Sequence, residues 1–179
     1  DLDHSGTIDA KDQTWIFDPV PDFNWGLNVQ LGYKNFDLSM FFQGVYGVDV
    51  YNNQKFQTDF WSLTDAGSNK GNRMLGAWTE DNTSSKIPAL TTNNTGDEGR
   101  ASTYFVEHGN WMKLRTLQLG YNFSDSLLKK LHMTSARVYV SGQNLFTWKS
   151  SSFTISDPEN PNWAYPHATS VSFGLQLGF

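Results

Sequence analysis

Residues 170–179 read SVSFGLQLGF. Val171, Phe173, Leu175, Leu177 and Phe179 alternate with Ser170, Ser172, Gly174, Gln176 and Gly178. A strict period of two marks a β-strand with one apolar and one polar face. The same pattern recurs upstream. Trp25, Leu27, Val29, Leu31 and Tyr33 alternate with Asn24, Gly26, Asn28, Gln30 and Gly32. After Lys34-Asn35 it resumes with Phe36, Leu38, Met40, Phe42 and Tyr46, so the two runs predict a hairpin. Leu117, Leu119, Tyr121 and Phe123 oppose Thr116, Gln118, Gly120 and Asn122, and residues 136–148 form another such run. Ser124–Leu131 has room for one or two helical turns between them. Strands are thus expected near 24–33, 36–47, 111–123, 136–148 and 169–179.

The composition narrows what those strands do. Of 179 residues, 15% are aromatic and only 17% are charged, below the roughly 25% of ordinary soluble domains. A formal charge of −5 without a Lys/Arg-rich block excludes nucleic acid as a partner. The absence of cysteine removes thiol chemistry and disulfide scaffolds. No apolar run long enough for a membrane-spanning helix is present, and no signal-peptide pattern stands at Asp1. Mean hydropathy is −0.50, an average that carries no information when apolar and polar residues alternate.

Aromatics cluster near strand ends: Trp25 and Tyr33, Phe36 and Tyr46, Trp111 and Phe123, Trp148, Phe179. A strand that crosses a bilayer needs about 9–11 residues, lipid-facing apolar side chains, a polar lumen face and aromatics at both interfaces. Trp25, Trp111 and Trp148 are therefore read as interface residues. Short turns (Lys34-Asn35, 124–134) alternate with long connections (48–110, 149–167), as in barrels with short periplasmic turns and long extracellular loops. The fold class expected is all-β: about five C-terminal antiparallel strands of a large transmembrane β-barrel. Five strands cannot close a barrel, so the remaining strands are expected elsewhere. The division expected is 1–22, an acidic loop and linker, and 23–179, barrel.

The first twelve residues, DLDHSGTIDAKD, match the spacing of a calcium loop. Asp1, Asp3, Ser5, Asp9 and Asp12 place oxygens at positions 1, 3, 5, 9 and 12. Gly6 sits where the chain turns sharply, and Thr7 offers its carbonyl. A structural Ca2+ is expected there. Asp12 is one methylene shorter than the usual Glu, and Pro19 and Pro21 bar a long following helix. An Asx-rich surface turn that binds nothing is the simpler alternative.

These features together resemble the C-terminal part of the SusC/RagA family of TonB-dependent outer-membrane transporters. Three stretches carry the likeness: the acidic loop with Pro21-Asp22-Phe23 and the strand pair ending near Gly44–Gly47; Trp111–Tyr121; and Arg137–Thr147 with Asp157-Pro158-Glu159, Tyr165-Pro166 and Ser172–Phe179. The resemblance implies a barrel of about 22 strands with a lumen plug. It further implies a SusD-like surface lipoprotein as lid, and a TonB complex reached through an N-terminal part that this chain lacks. Imported oligosaccharides or peptides, outer-membrane lipid around the barrel and extracellular long loops complete the implied setting. The final strand also resembles the signal that such barrels present to their insertion machinery.

Catalysis is not expected. Asp97-Glu98 and Asp157/Glu159 are carboxylate pairs, the equipment of a glycosidase, but they lie in Gly/Asn/Pro-rich loops where carboxylates serve solubility. His4, His108, His132 and His167 share no metal-ligand spacing, and His108 and His167 are read as interfacial polar residues. Trp61, Trp78, Trp163 and Tyr165 are the candidates for stacking on a sugar ring; packing of the loops on each other is the bland alternative. The competing function is a secreted, calcium-stapled β-sandwich that binds carbohydrate, with a glycoside hydrolase fragment third. Sheet packing separates them: in a sandwich the odd-numbered residues of 171–179 face a second sheet, and in a barrel nothing of the protein covers them.

Overall fold

The computed structural model describes residues 1–7, 9–59, 69–90, 100–160 and 164–179. Seven strands and two α-helices are formed among them. β1 (Phe23–Tyr33), β2 (Phe36–Tyr46), β5 (Trp111–Asn122), β6 (Ser135–Lys149) and β7 (Ser170–Gly178) make one antiparallel sheet in the order β1-β2-β5-β6-β7. β3 (Asp49–Tyr51) and β4 (Val106–His108) pair separately. α1 (Asn53–Asp59) follows β3, and α2 (Asp125–Lys130) supplies the short helix between β5 and β6. Contacts divide the chain into two units, Asp1–Pro19 with Val50–Glu107, and Val20–Asp49 with His108–Phe179.

The large sheet is an open ribbon whose register aligns like residues across all five strands. Leu31, Leu38, Leu119, Val140 and Phe173 form one transverse row. The row behind it, on the other face, is Gln30, Ser39, Gln118, Ser141 and Ser172. Such matching fixes register, because a one-residue slip would exchange the faces. On β7 the apolar side chains stand uncovered, Phe173 being 84% exposed and Leu175 60%, and Phe179 just after the strand is 88% exposed. Among the described residues no second sheet covers them, so the sandwich arrangement is not what these residues adopt.

Two aromatic rows bound the apolar face. Trp25, Gly44, Met112 and Trp148 are aligned near one rim, with the Trp25 ring lying over Gly44. Tyr33, Phe36, Tyr121, Val138 and Leu175 are aligned near the other, where Phe36 and Tyr121 pack at 4.8 Å between centroids. Eight residue steps along β1 lead from Trp25 to Tyr33, a rise of roughly 26 Å at about 3.3 Å per residue. With the strand tilt of about 35–45° usual in outer-membrane barrels, that rise projects to roughly 20 Å along the membrane normal, so the two rows bracket most of an apolar band of about 25 Å.

One irregularity redirects the sheet. Phe41 pairs with Thr116 but Phe42 with Leu114, and on the other side Leu114 pairs with Phe146 but Thr116 with Gln143. Arg115 is thus an extra, bulged residue against β2, and on β6 two residues lie opposite it, Asn144, whose backbone is left-handed (φ 51°), and Leu145. Above the bulge the phase of β5 inverts. Met112 and Leu114 lie on the apolar face, whereas Trp111, Lys113 and Arg115 join Thr116 and Gln118 on the polar one. This corrects the reading of Trp111 as an interface residue: it is buried, 9% exposed, with the Lys113 ammonium 5.6 Å from its ring. Trp25 and Trp148 remain on the apolar face.

The unit that includes 50–107 has its own small core around Phe105, which is fully buried and packed by Tyr51, Phe56 and Tyr104. Buried Asp59 is held there by Arg73 Nε at 2.9 Å and by the Tyr104 hydroxyl at 2.7 Å. Burial, reinforced by the Asp59 carboxylate, raises Tyr104 well above an ordinary tyrosine. Burial likewise lowers the Lys55 ammonium, which Glu107 at 3.8 Å partly restores.

Gly47 closes the β1–β2 hairpin stem at φ 73°, its amide donating to Asn110 Oδ1 at 2.7 Å. A Cβ there would lie 2.6 Å from Asp22 Cβ. Gly47→Ala is expected to destabilise the folded protein by about 1–3 kcal/mol through left-handed strain and overpacking. Gly32→Ala, where a Cβ meets nothing within 4 Å, should be tolerated. Urea midpoints of the two variants in detergent check the contrast.

Candidate functional site

The polar face of the sheet carries a connected cluster of ionisable groups. β5 contributes Lys113 and Arg115, both turned there by the bulge, and the segment after β6 folds back onto them. Lys113 Nζ lies 2.6 Å from Asp157 Oδ1 and 2.6 Å from Glu159 Oε2. Arg115 is paired with Glu159 and donates to Gln43 Oε1 at 2.9 Å and Asn144 Oδ1 at 3.1 Å. Asp157 Oδ2 accepts the His167 backbone amide at 2.8 Å and lies 2.9 Å from His167 Nδ1. Phe153 and Ile155 are buried beside this network, and Lys149 donates to the Ile155 carbonyl.

Lys113 and Asp157 are only 2% and 3% exposed. Burial alone would raise the Asp157 carboxyl. The Lys113 ammonium, the amides of His167 and Glu159 and the His167 ring outweigh it and hold the carboxyl well below the usual carboxylate range. Asp157, Glu159 and His167 bring ligand atoms within 4.8 Å of one another, a spacing a metal could use. The Lys113 ammonium already bridges the two carboxylates, so the cation of this site is the protein's own. Asp157 and Glu159 are therefore not loop-solubilising carboxylates, and His167 is not a simple interfacial residue; both expectations are corrected by this burial and pairing. Asp157, held ionised far below neutral pH by these partners, is poorly matched to acid–base work near pH 7. Lys113 and Arg115 were missed as site residues. The sign of them in the sequence is the broken alternation at Arg115-Thr116, two consecutive polar residues inside a strand.

The acidic loop is the second site. Asp1, Asp3 and Asp12 bring one carboxylate oxygen each within 4.8 Å of one another. Asp1 accepts from the amides of Ser5 (3.0 Å) and Gly6 (2.9 Å), and Asp3 from Ser5 (3.1 Å). Asp12 accepts from Asp9 at 2.7 Å and Leu2 at 2.6 Å, and those two amides depress its carboxyl. Gly6 turns the loop at φ 83°, a conformation open to glycine. Three converging carboxylates are a donor set for a hard cation. Asp9 instead caps the single 3-10 turn Ala10–Asp12 through the Lys11 amide, and the Ser5 hydroxyl donates to the Thr7 carbonyl.

Of the four aromatic candidates, Trp61 and Trp163 lie outside the described residues. Trp78 is half-exposed, its amide bonded to the Ile87 carbonyl, and Tyr165 is 94% exposed. They belong to different units of the chain.

A five-strand ribbon with lipid-height apolar rows and a charged, folded-over polar face is then matched by its relatives. The TonB-dependent receptor P3 of Formosa agariphila is 33% identical over 198 aligned residues, covering all of this chain and 18% of that protein. The TonB-dependent receptor SusC of Bacteroides thetaiotaomicron is 30% identical, covering all of the chain and 17% of that protein. The chain belongs to the SusC/RagA family of TonB-dependent receptors. Among solved structures, the RagAB peptide importer in its open-open state superposes with a TM-score of 0.67 at 26% identity over 89% of this chain and 17% of that one. The closed-closed state gives a TM-score of 0.70 at 24% identity over 98% and 20%. No protein-family model matches the sequence. The chain spans less than a fifth of the curated relatives it matches. Its ribbon is accordingly a sector of the family's barrel, open because it is a sector. The apolar face is the lipid side and the polar face the lumen side. The relatives are named as receptors and importers rather than enzymes, in agreement with the sequence expectation that the chain is not catalytic.

Asp157→Asn should leave the buried Lys113 short of one carboxylate, at a cost of about 3 kcal/mol, below the full loss of a buried pair's partner because Glu159 remains. Hydrogen exchange of the 150–160 peptide in the complete protein would then quicken roughly 100-fold. The pH dependence has a definite sign. Asp157 is depressed in the folded state, so its contribution is complete above about pH 4 and is lost as pH falls further. Protection of this peptide should hold from neutral pH to about pH 4 and decline only in stronger acid.

Proposed function

We propose that the chain is part of a TonB-dependent transporter of the Gram-negative outer membrane, which imports oligosaccharides under a SusD-like lipoprotein lid. The observation that carries this reading is the transverse row Leu31-Leu38-Leu119-Val140-Phe173 on one face with Gln30-Ser39-Gln118-Ser141-Ser172 on the other. A wall that is greasy outside and hydrogen-bonding inside suits a conduit for polar solutes in lipid. The likeness to SusC supports the lipoprotein lid and the TonB complex as partners. Peptides are the second reading of the cargo, favoured by the superposition on a peptide importer. In this reading residues 1–22 form a loop outside the membrane, and 23–179 the barrel portion with its long extracellular connections. Trp61, Trp78, Trp163 and Tyr165 are the aromatic side chains proposed to meet cargo.

Deleting the complete gene, then growing cells on single oligosaccharides or on peptides as sole carbon source, tests the assignment. Loss of growth on one class and recovery with the intact gene is expected; growth unchanged on every source of both classes would overturn it.

For the acidic loop we propose a structural Ca2+ held by Asp1, Asp3, Ser5, Thr7, Asp9 and Asp12, stapling the loop without taking part in transport. The affinity expected is that of extracellular modules, on the order of 0.1–1 mM. Calcium should slow proteolysis within residues 1–20 of the complete protein, and EDTA or Asp3→Ala should abolish that protection. Cleavage equally fast with and without calcium would remove the metal.

A further inference from the structure

We propose that Lys113 and Arg115 are positioning residues that make the segment 150–160 a permanent part of the conduit wall, seated throughout import rather than opening as a lid. The proposal deepens the transporter reading and rests on it. Long loops at a conduit mouth are natural candidates for movement. This one is tied down differently from a surface lid. Phe153 and Ile155 are 2% and 0% exposed, so the segment's apolar side chains are spent on its own seat. Four residues further on, Asp157 and Glu159 straddle the ammonium of Lys113, which is itself buried on the lumen face. Arg115 adds a second cation to Glu159 and is oriented by Gln43 from β2 and Asn144 from β6. The clamp therefore joins three neighbouring strands to the segment. Asn144 continues it: its amide nitrogen donates to the Ala168 carbonyl at 3.1 Å, and its carbonyl accepts from Thr169 Oγ1 at 2.9 Å. The segment's return into β7 is thus fixed at His167, Ala168 and Thr169, two residues past exposed Tyr165.

Lifting the segment would break the three pairings of Lys113 and Arg115 with Asp157 and Glu159 together and expose Phe153 and Ile155 to water, a large penalty for an opening step repeated on every cycle. The bulge is what makes the clamp possible. Without the extra residue at 115, the alternation that puts Leu117 and Leu119 on the lipid side would put Lys113 and Arg115 there as well.

The 179 residues contain no cysteine, which makes a single introduced thiol a clean reporter provided any elsewhere in the complete protein are replaced. The complete transporter carrying Ile155→Cys is exposed to a membrane-impermeant maleimide on intact cells supplied with maltodextrins and tryptic peptides. Ser152→Cys, at an exposed position, gives the reference rate. The thiol at 155 should label at least ten times more slowly than that at 152, equally in energised cells and in cells treated with a protonophore. Adding Lys113→Met and Arg115→Met should raise labelling at 155 to near the reference. Replacing Lys113 by Asp together with Asp157 by Lys should return it toward the slow rate. Labelling at the reference rate in the otherwise native protein, or faster in energised than in de-energised cells, would overturn the proposal and needs no clamp variant. A thiol that stays silent in the Met variant would overturn the role of the two cations. A protein carrying neither reporter that is absent from the outer-membrane fraction would instead count against the transporter reading itself.

Discussion

Inside hydrocarbon no water is available to a peptide group, so every amide of a spanning segment must find its partner in the protein. That constraint accounts for the order of these strands. β1, β2, β5, β6 and β7 exchange ladder bonds with their neighbours over nine to eleven paired positions each, and the 48–110 stretch is looped out so that β2 can meet β5 directly. It also accounts for incompleteness. β1 and β7 are the outermost strands of the ribbon, and their outer edges call for the further strands of a barrel. Once the backbone is satisfied, side chains only have to sort by side, which they do row by row.

The charges on the wall follow a second constraint. A cation in a barrel wall is tolerated on the lumen side and becomes cheaper when paired. Arg137 reaches across Gly120 to Asp37, with Nε 3.1 Å from the carboxylate, so one glycine on β5 is the gap that lets β6 and β2 form an ion pair. Lys113 and Arg115 find their partners in the segment after β6. In both places the strand pattern supplies the cation, while its partner arrives from another strand or from the loop. Paired charges leave a lumen surface of Gln, Ser, Thr and Asn, which can bind water and solutes without trapping ions.

Much of the fold was legible because its signal is local. Period two at Trp25–Tyr33, Phe36–Phe42 and Val171–Phe179 is a property of adjacent residues, and strand existence follows from it. The folded-over site was not legible for the opposite reason. Lys113 and Asp157 are 44 residues apart, and nothing near either one announces the other. Trp111 illustrates a subtler failure: counted back in twos from Leu117 it belongs with the lipid-facing set, and the single bulged residue at 115 moves it to the lumen side. A phase error of one residue is invisible to alternation unless two polar neighbours, here Arg115 and Thr116, are taken as its mark. The structure within 50–107, with its Asp59–Arg73–Tyr104 core, was likewise hidden in a stretch whose composition reads only as loop. The acidic loop stands between these cases: its spacing is written in the first twelve residues, and its geometry brings three of the carboxylates together.

The central claim is that the odd-numbered side chains of the last strand touch lipid and the even-numbered ones touch water. Single tryptophans placed at Phe173, Leu175 or Ser172 of the complete protein, with the native tryptophans replaced, can be read by fluorescence in bilayers containing brominated acyl chains. The account predicts strong quenching at 173 and 175 and little at 172. Equal quenching at all three positions, or stronger quenching at 172, would contradict it.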